Sequence, residues 1–180
     1  VRTVTYSRLA PKHRLTAWVR LLALTAAHPE RAFAAATVGR GPGRAPVAVA
    51  RIAPLAADAA GRRAAALAEL AVLVDLYDRG MREPLPLPCA TAAAYAEAIA
   101  TGADPRAAAG RAWTTEWNYE KEDMEPEHQL VLGGVASLDD LLAPPPRPQE
   151  RWAPEETTRL GSLARRLWDG LLAREEIAYR

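Results

Sequence analysis

Carboxylates are missing from the start of this 180-residue chain: none precedes Glu30, and Glu30 stands alone in the first fifty-one residues. Arg2, Arg8, Lys12, Arg14, Arg20, Arg31, Arg40, Arg44 and Arg51 are therefore almost unopposed. That segment carries +8 within a chain of +1, so the other 129 residues carry −7. A near-neutral total hides a polarised molecule, and such asymmetry points to a polyanion or an acidic protein surface as partner of the basic end. Lysine is scarce as well, with Lys12 and Lys121 the only two among 23 basic residues. Together with abundant alanine and proline this bias marks a GC-rich coding sequence, so an arginine is not functional merely by being present.

Cys89 is the single cysteine, which excludes an internal disulfide and fits a reducing compartment, here the cytoplasm. Beside Pro88 it reads as a packed thiol rather than a nucleophile. Apolar runs are too short and interrupted to span a bilayer, and the start resembles neither a signal nor a transit peptide. The length fits one domain over 1–180. The chain starts without Met inside a strand-like run, which reads as a fragment of a longer subunit. Within it, 1–82 reads as a strand and helix core, 83–90 as a proline-rich linker and 91–180 as mainly helical.

Residues 1–7 alternate with Val4, Thr5 and Tyr6 among them, a half-buried strand pattern. Leu15, Trp18, Val19 and Leu22 recur at helical spacing over 12–27. Strands are expected at 32–38 and 47–52, joined by the turn-rich Gly39-Arg40-Gly41-Pro42-Gly43-Arg44. A long helix is expected over 58–81, with Leu67, Leu70, Val74, Tyr77 and Met81 as its buried face. Three prolines over 83–88 then stop it. Thr91 is expected to cap a short helix, and Asp104-Pro105 to open another running to about Trp117. Residues 118–127 read as an acidic loop and 129–132 as a short strand, while Ser137 and Asp140 form a helix-start signal. The last helix is expected from Pro154, with a stripe of Leu160, Leu163, Leu167 and Leu171. The fold class is α/β, with α+β as the alternative: a small mixed sheet and a helix-rich C-terminal half.

Arg8, Lys12 and Arg14 cluster at a strand-to-helix junction, Arg20 follows on the helix, and Arg40 and Arg44 flank the hairpin tip. These six are the candidate DNA-binding residues, because guanidinium and ammonium groups neutralise phosphates and release counterions. A solvated face, or docking against an acidic subunit, explains the same charges. The 39–44 loop lacks the Lys-Ser/Thr of a phosphate-binding P-loop and precedes no helix. Glu116, Glu120, Asp123, Glu127 and His128 could hold a hard metal, but they sit without a matching spacing on an expected loop. His13 and His28 lack the acid a catalytic triad needs. Trp113, Trp117 and Tyr119 could stack bases, although Trp113 and Trp117 at helical spacing more often enter a core.

Several words in the chain are family-like: Tyr6-Ser7-Arg8-Leu9, Lys12-His13-Arg14-Leu15, Ala17-Trp18 and Leu22-Ala23-Leu24. To these add Leu76-Tyr77, Gly80-Met81-Arg82, Pro84-Leu85 and Ala112-Trp113. In their order and spacing they resemble the C-terminal domain of the RecC (gamma) subunit of exodeoxyribonuclease V, the RecBCD helicase–nuclease. That resemblance implies a degenerate PD-(D/E)xK nuclease-like domain. Active members of that fold place an acid and then an acid-x-Lys on adjacent strands to hold magnesium. Here Tyr6-Ser7-Arg8 stands where an acidic triplet would be, and 47–52 has no acid.

The resemblance thus implies a noncatalytic scaffold and DNA-handling domain, with no catalytic and no metal-binding residues of its own. Its implied partners are RecB-like and RecD-like subunits and double-stranded or forked DNA, with no membrane. No cofactor is implied in this domain; ATP and Mg belong to the partner subunits. The alternatives are a divalent-metal-dependent nuclease using the acids of 116–128, and a protein-interaction module that never meets DNA.

Overall fold

A computed structural model describes residues 1–117 and 120–180, so Asn118 and Tyr119, the latter one of three aromatics that could stack bases, lie outside the described residues. The chain divides into two compact units, Val1–Leu76 with Gly170–Arg180, and Tyr77–Asp169. Among the described residues there are one four-stranded mixed sheet and seven α-helices, which is the expected α/β class.

The first unit starts with β1 (Arg2–Arg8), crosses through α1 (Pro11–Ala27) and returns as β2 (Ala35–Arg40), parallel to β1. Strand β3 (Ala48–Ile52) follows antiparallel, and β4 (Glu175–Tyr179) adds to β3 from the far end of the sequence, in the order β1-β2-β3-β4. Parallel pairing needs a crossover, and α1 supplies it. Pro11 suits the first turn of that helix because its missing N–H has no intrahelical partner there. Ala17, Trp18, Leu21 and Leu22 are buried on α1, which packs on β2. Ala35 and Thr37 of β2 face Ile52 and Ala50 of β3, and all four are buried on that side of the sheet.

One ion pair ties the far end of the sequence to this frame. Arg14 Nε donates to Glu175 Oε2 at 2.7 Å and its Nη2 lies 2.5 Å from the same oxygen, with side-chain exposures of 6% and 2%. A carboxylate and a guanidinium this dry are stable only together.

Helix α2 (Ala59–Arg82) has nearly the expected bounds but not the expected orientation. Leu67, Val74, Tyr77 and Met81 are exposed, and Leu70 is half-buried. The buried side instead carries Arg62, Ala66 and Leu76. Arg62 donates to the Pro29 carbonyl at 2.9 Å and to the Ala57 carbonyl at 2.5 Å. Periodicity shows which residues share a face; it does not show which way the face points.

The second unit packs α3 (Cys89–Thr101) closely on α4 (Pro105–Trp113) through buried Ala92, Ala93, Ala96, Ala108 and Ala109. Asp104 caps α4 through Arg106 N and Ala107 N, as expected. Thr91 does not cap α3. Its N–H and hydroxyl both donate to Glu122 at 2.7 Å, and Ala90 N donates to the same carboxylate. The open N–H groups at a helix start are satisfied here by an acid from 31 residues further along the chain.

Residues 129–132 are helical rather than extended. Pro126 opens α5 (Pro126–Leu132) at its first position, and Gly133 ends it at φ +76°. Helix α6 (Leu138–Leu142) carries the expected Ser137–Asp140 capping box. Helix α7 (Arg159–Leu172) starts later than expected, because the Thr158 hydroxyl accepts from Gly161 N at 3.0 Å and sets the cap there. Its buried stripe is Leu160, Leu163, Ala164, Trp168 and Leu171, with Leu167 only half-buried.

Glu150 is fully buried and receives Arg159 Nε and Nη2, both at 2.8 Å. Arg159 also reaches Glu83, which Arg147 grips with both terminal nitrogens. Burial pushes the Glu150 carboxyl up, but the Arg159 fork and the Arg147 N–H outweigh it and hold the group below its ordinary value. A lowered folded-state pKa stabilises above the unfolded value and is lost as pH falls through the folded one.

Two outcomes follow for stability. In acid titrations followed by urea unfolding, stability should fall as pH drops below about 4.5, and Glu150→Gln should flatten that acid limb while lowering stability at pH 7. Arg14→Ala should cost roughly 3–5 kcal/mol in urea unfolding, because Glu175 is left buried and unpaired. Replacing Arg14 and Glu175 together by apolar residues should recover most of the loss.

Candidate nucleic-acid interface

Parallel strands β1 and β2 end on the same side of the sheet, and α1 starts where β1 ends. This topology brings Arg8, at the end of β1, opposite Arg40, at the end of β2. Lys12 sits in the first turn of α1 and Arg44 in the loop after β2, and all four are exposed. Leu9 N donates to the Arg40 carbonyl at 3.0 Å, which pins the junction to β2. Four of the six expected residues therefore share one end of the first unit.

The other two do not belong to that group. Arg14 is buried in its pair with Glu175 and offers no free head to a ligand. Arg20 is exposed but lies eight residues beyond Lys12 along α1, about 12 Å further down the helix axis. Arg40 is the last residue of β2 and so stands directly before the turn-rich connection to β3.

Arg180 joins the basic end although no sequence pattern marked it. Its N–H and carbonyl exchange hydrogen bonds with Val47, at 2.9 and 3.1 Å, beside the start of β3. Recognising it required β4, whose five residues follow α7 after a turn of only two residues. The signal available was the β-branched and aromatic pair Ile177 and Tyr179, two apart.

At the opposite end of the same sheet, Arg2, Arg51, Arg174 and Glu176 line an open cleft of about 660 Å³ with Ala34 to Ala36 and Ile52. Arg174 is already engaged there by Glu69 at 3.3 Å and by the Gly170 carbonyl. Arg2 and Arg51 are exposed. Arg8 and Arg51 thus lie at opposite ends of the sheet.

In the acidic segment, two carboxylates are engaged within the fold. Asp123 accepts from Thr115 N at 2.8 Å and from the Thr115 hydroxyl, drawing the chain out of α4 after Trp113. Glu122 holds the start of α3. His128 Nδ1 meets the Glu122 carbonyl at 2.7 Å, and its ring lies 5.5 Å from that of Trp113. Among the described residues no three His, Cys, Asp or Glu side chains gather as a metal site. Trp113 is buried, its indole N–H donating to the Ala136 carbonyl at 3.0 Å. Trp117 is not in the core: it is fully exposed, in a turn at φ +56°.

No described helix is long and apolar enough to cross a membrane. Comparison with known proteins gives a consistent picture. The model of the RecC C-terminal domain matches residues 1–100. The RecBCD enzyme subunit RecC of Mycobacterium tuberculosis, in strains CDC 1551 / Oshkosh and H37Rv, is 43% identical over 173 residues. That of Mycolicibacterium smegmatis is 42% identical over the same length. These alignments take in 96% of this chain and 15% of each relative, so the chain spans about one seventh of the relatives it matches. The strand–helix–strand frame that gathers the arginines falls within the matched residues, and the chain belongs to the RecC C-terminal domain family.

Proposed function

We propose that this chain is a noncatalytic DNA-holding and scaffolding domain of a RecBCD-type helicase–nuclease, acting on double-strand DNA ends in recombinational repair in the cytoplasm. One observation carries the DNA part. Arg8, Lys12, Arg40 and Arg44 converge, exposed, at one end of a sheet whose first three strands contain no carboxylate. Arginine forks and a lysine ammonium at such an end neutralise phosphates without reading bases. The family membership supports the rest. RecB-like and RecD-like subunits are the expected partners, with strand cutting, ATP and Mg placed in them and no cofactor in this domain. The frame is read as a nuclease-like fold without its acids.

The direct test measures binding of forked DNA by the 180-residue chain at several salt concentrations. Replacing Arg8, Lys12, Arg40 and Arg44 together by Ala should weaken binding and reduce the slope of log K against log salt by about 0.9 per lost duplex phosphate contact. Unchanged affinity and slope would remove the DNA-contact reading. For the scaffold reading, a full-length subunit carrying this domain should co-purify with a RecB-like protein; its persistent absence counts against that role.

A further inference from the structure

The side of the sheet turned away from α1 has an ordered pattern of its own. Arg2, Ala36, Arg51 and Glu176 stand opposite one another across the four strands, and Val4, Val38, Val49 and Ala178 form the next row. Directly opposed residues share a face. Further along, Arg8 faces Arg40. Between these rows the register slips, so that Thr5, Tyr6 and Ser7 of β1 are set against Gly39 alone. A Cβ at Gly39 would come within 2.9 Å of Leu9 N and 3.1 Å of the Ser7 carbonyl. The slipped strand therefore needs glycine there.

Tyr6 is placed by that slip. The Thr5 and Ser7 hydroxyls meet at 2.8 Å on one side of β1, leaving Tyr6 on the other with Val4. With no side chain across from it, Tyr6 is 94% exposed, and Val4 beside it is 72% exposed. Arg2, Arg8, Arg40 and Arg51 are exposed on this face, and Glu176 is the one carboxylate among the strand residues paired across it.

A free aromatic ring between cations matches an unpaired base on a phosphate backbone: the ring stacks the base and the guanidinium groups neutralise the phosphates. Bases inside a duplex are covered by their neighbours and have no open face for such a ring. A protein strand adding to the β1 edge would use backbone groups and leave both Tyr6 and the arginines unexplained. We propose that this face binds single-stranded nucleic acid, with one base stacked on Tyr6 and the backbone running between the Arg8–Arg40 end and the Arg2–Arg51 end. The inference rests on the DNA-contact reading above and narrows it to an unpaired strand.

The test compares Tyr6→Ala and Tyr6→Phe with the parent 180-residue chain, using an oligothymidylate and a blunt duplex of equal length. Tyr6→Ala should weaken oligothymidylate binding by roughly 5- to 150-fold, the range for loss of one stacked base, with the salt slope and duplex affinity unchanged. Tyr6→Phe should bind like the parent. Because the side chain is exposed, the unfolding midpoint should not move, which separates lost stacking from lost fold. Irradiation with a 5-iodouracil oligonucleotide should give an adduct at Tyr6. No loss on the oligonucleotide, or an equal loss on duplex, overturns the inference. If the Arg8, Lys12, Arg40 and Arg44 variant still binds more weakly in that case, the broader reading stands; if that variant also binds like the parent, both fall. Self-association abolished by Tyr6→Ala, with oligonucleotide affinity intact, would reassign the face to strand pairing between copies and also overturn it.

Discussion

The first unit depends on the buried pair of Arg14 and Glu175, 161 residues apart in sequence. It joins the helix that crosses over between β1 and β2 to the strand that completes the sheet. Removing either partner leaves a charge without water, so the pair is a stringent condition on the fold. It also takes one arginine out of the basic cluster and gives it a structural task. The remaining basic side chains at the sheet end keep their heads in solvent, free for a polyanion.

A second constraint is geometric. The slip in register opposite Gly39 turns an ordinary edge strand into one that presents a tyrosine with no cross-strand neighbour. Bulges of this kind re-aim side chains and occur next to functional surfaces. Here the slip lies between the Val4–Val38 pair and the Arg8–Arg40 pair, so the aromatic ring falls between an apolar patch and a cationic one. In the second unit, acids and arginines are arranged differently. Glu122, Asp123 and Glu150 are buried and bound by helix N–H groups, by Thr115 or by Arg159. They hold helices and turns in place.

Much of this was legible in the sequence wherever the signal was local. The alternation at 1–7, the Asp104-Pro105 start and the Ser137–Asp140 box each act over a few residues, and each is where the pattern places it. Signals that depend on distant partners were not legible. Nothing near Thr91 shows that Glu122 will take its N–H, and nothing near Arg14 shows that Glu175 will bury it. Strand β4 was hidden because its hydrogen bonds come entirely from β3, more than a hundred residues earlier. With β4 unseen, Arg180 could not be placed beside Arg40 and Arg44. The stripe on α2 does share one face, but it is the exposed one; the buried side carries Arg62, whose partners are backbone carbonyls that periodicity does not encode.

The central claim is the proposed one, that nucleic acid binds the first unit at the basic end and along the Tyr6 face of its sheet. Hydroxyl-radical footprinting of the chain, with and without a saturating oligonucleotide, tests it most directly. The account predicts protection along Arg2–Arg8 and at residues 40–44, with residues 120–128 unchanged. Protection confined to the second unit, or none at saturation, would contradict it.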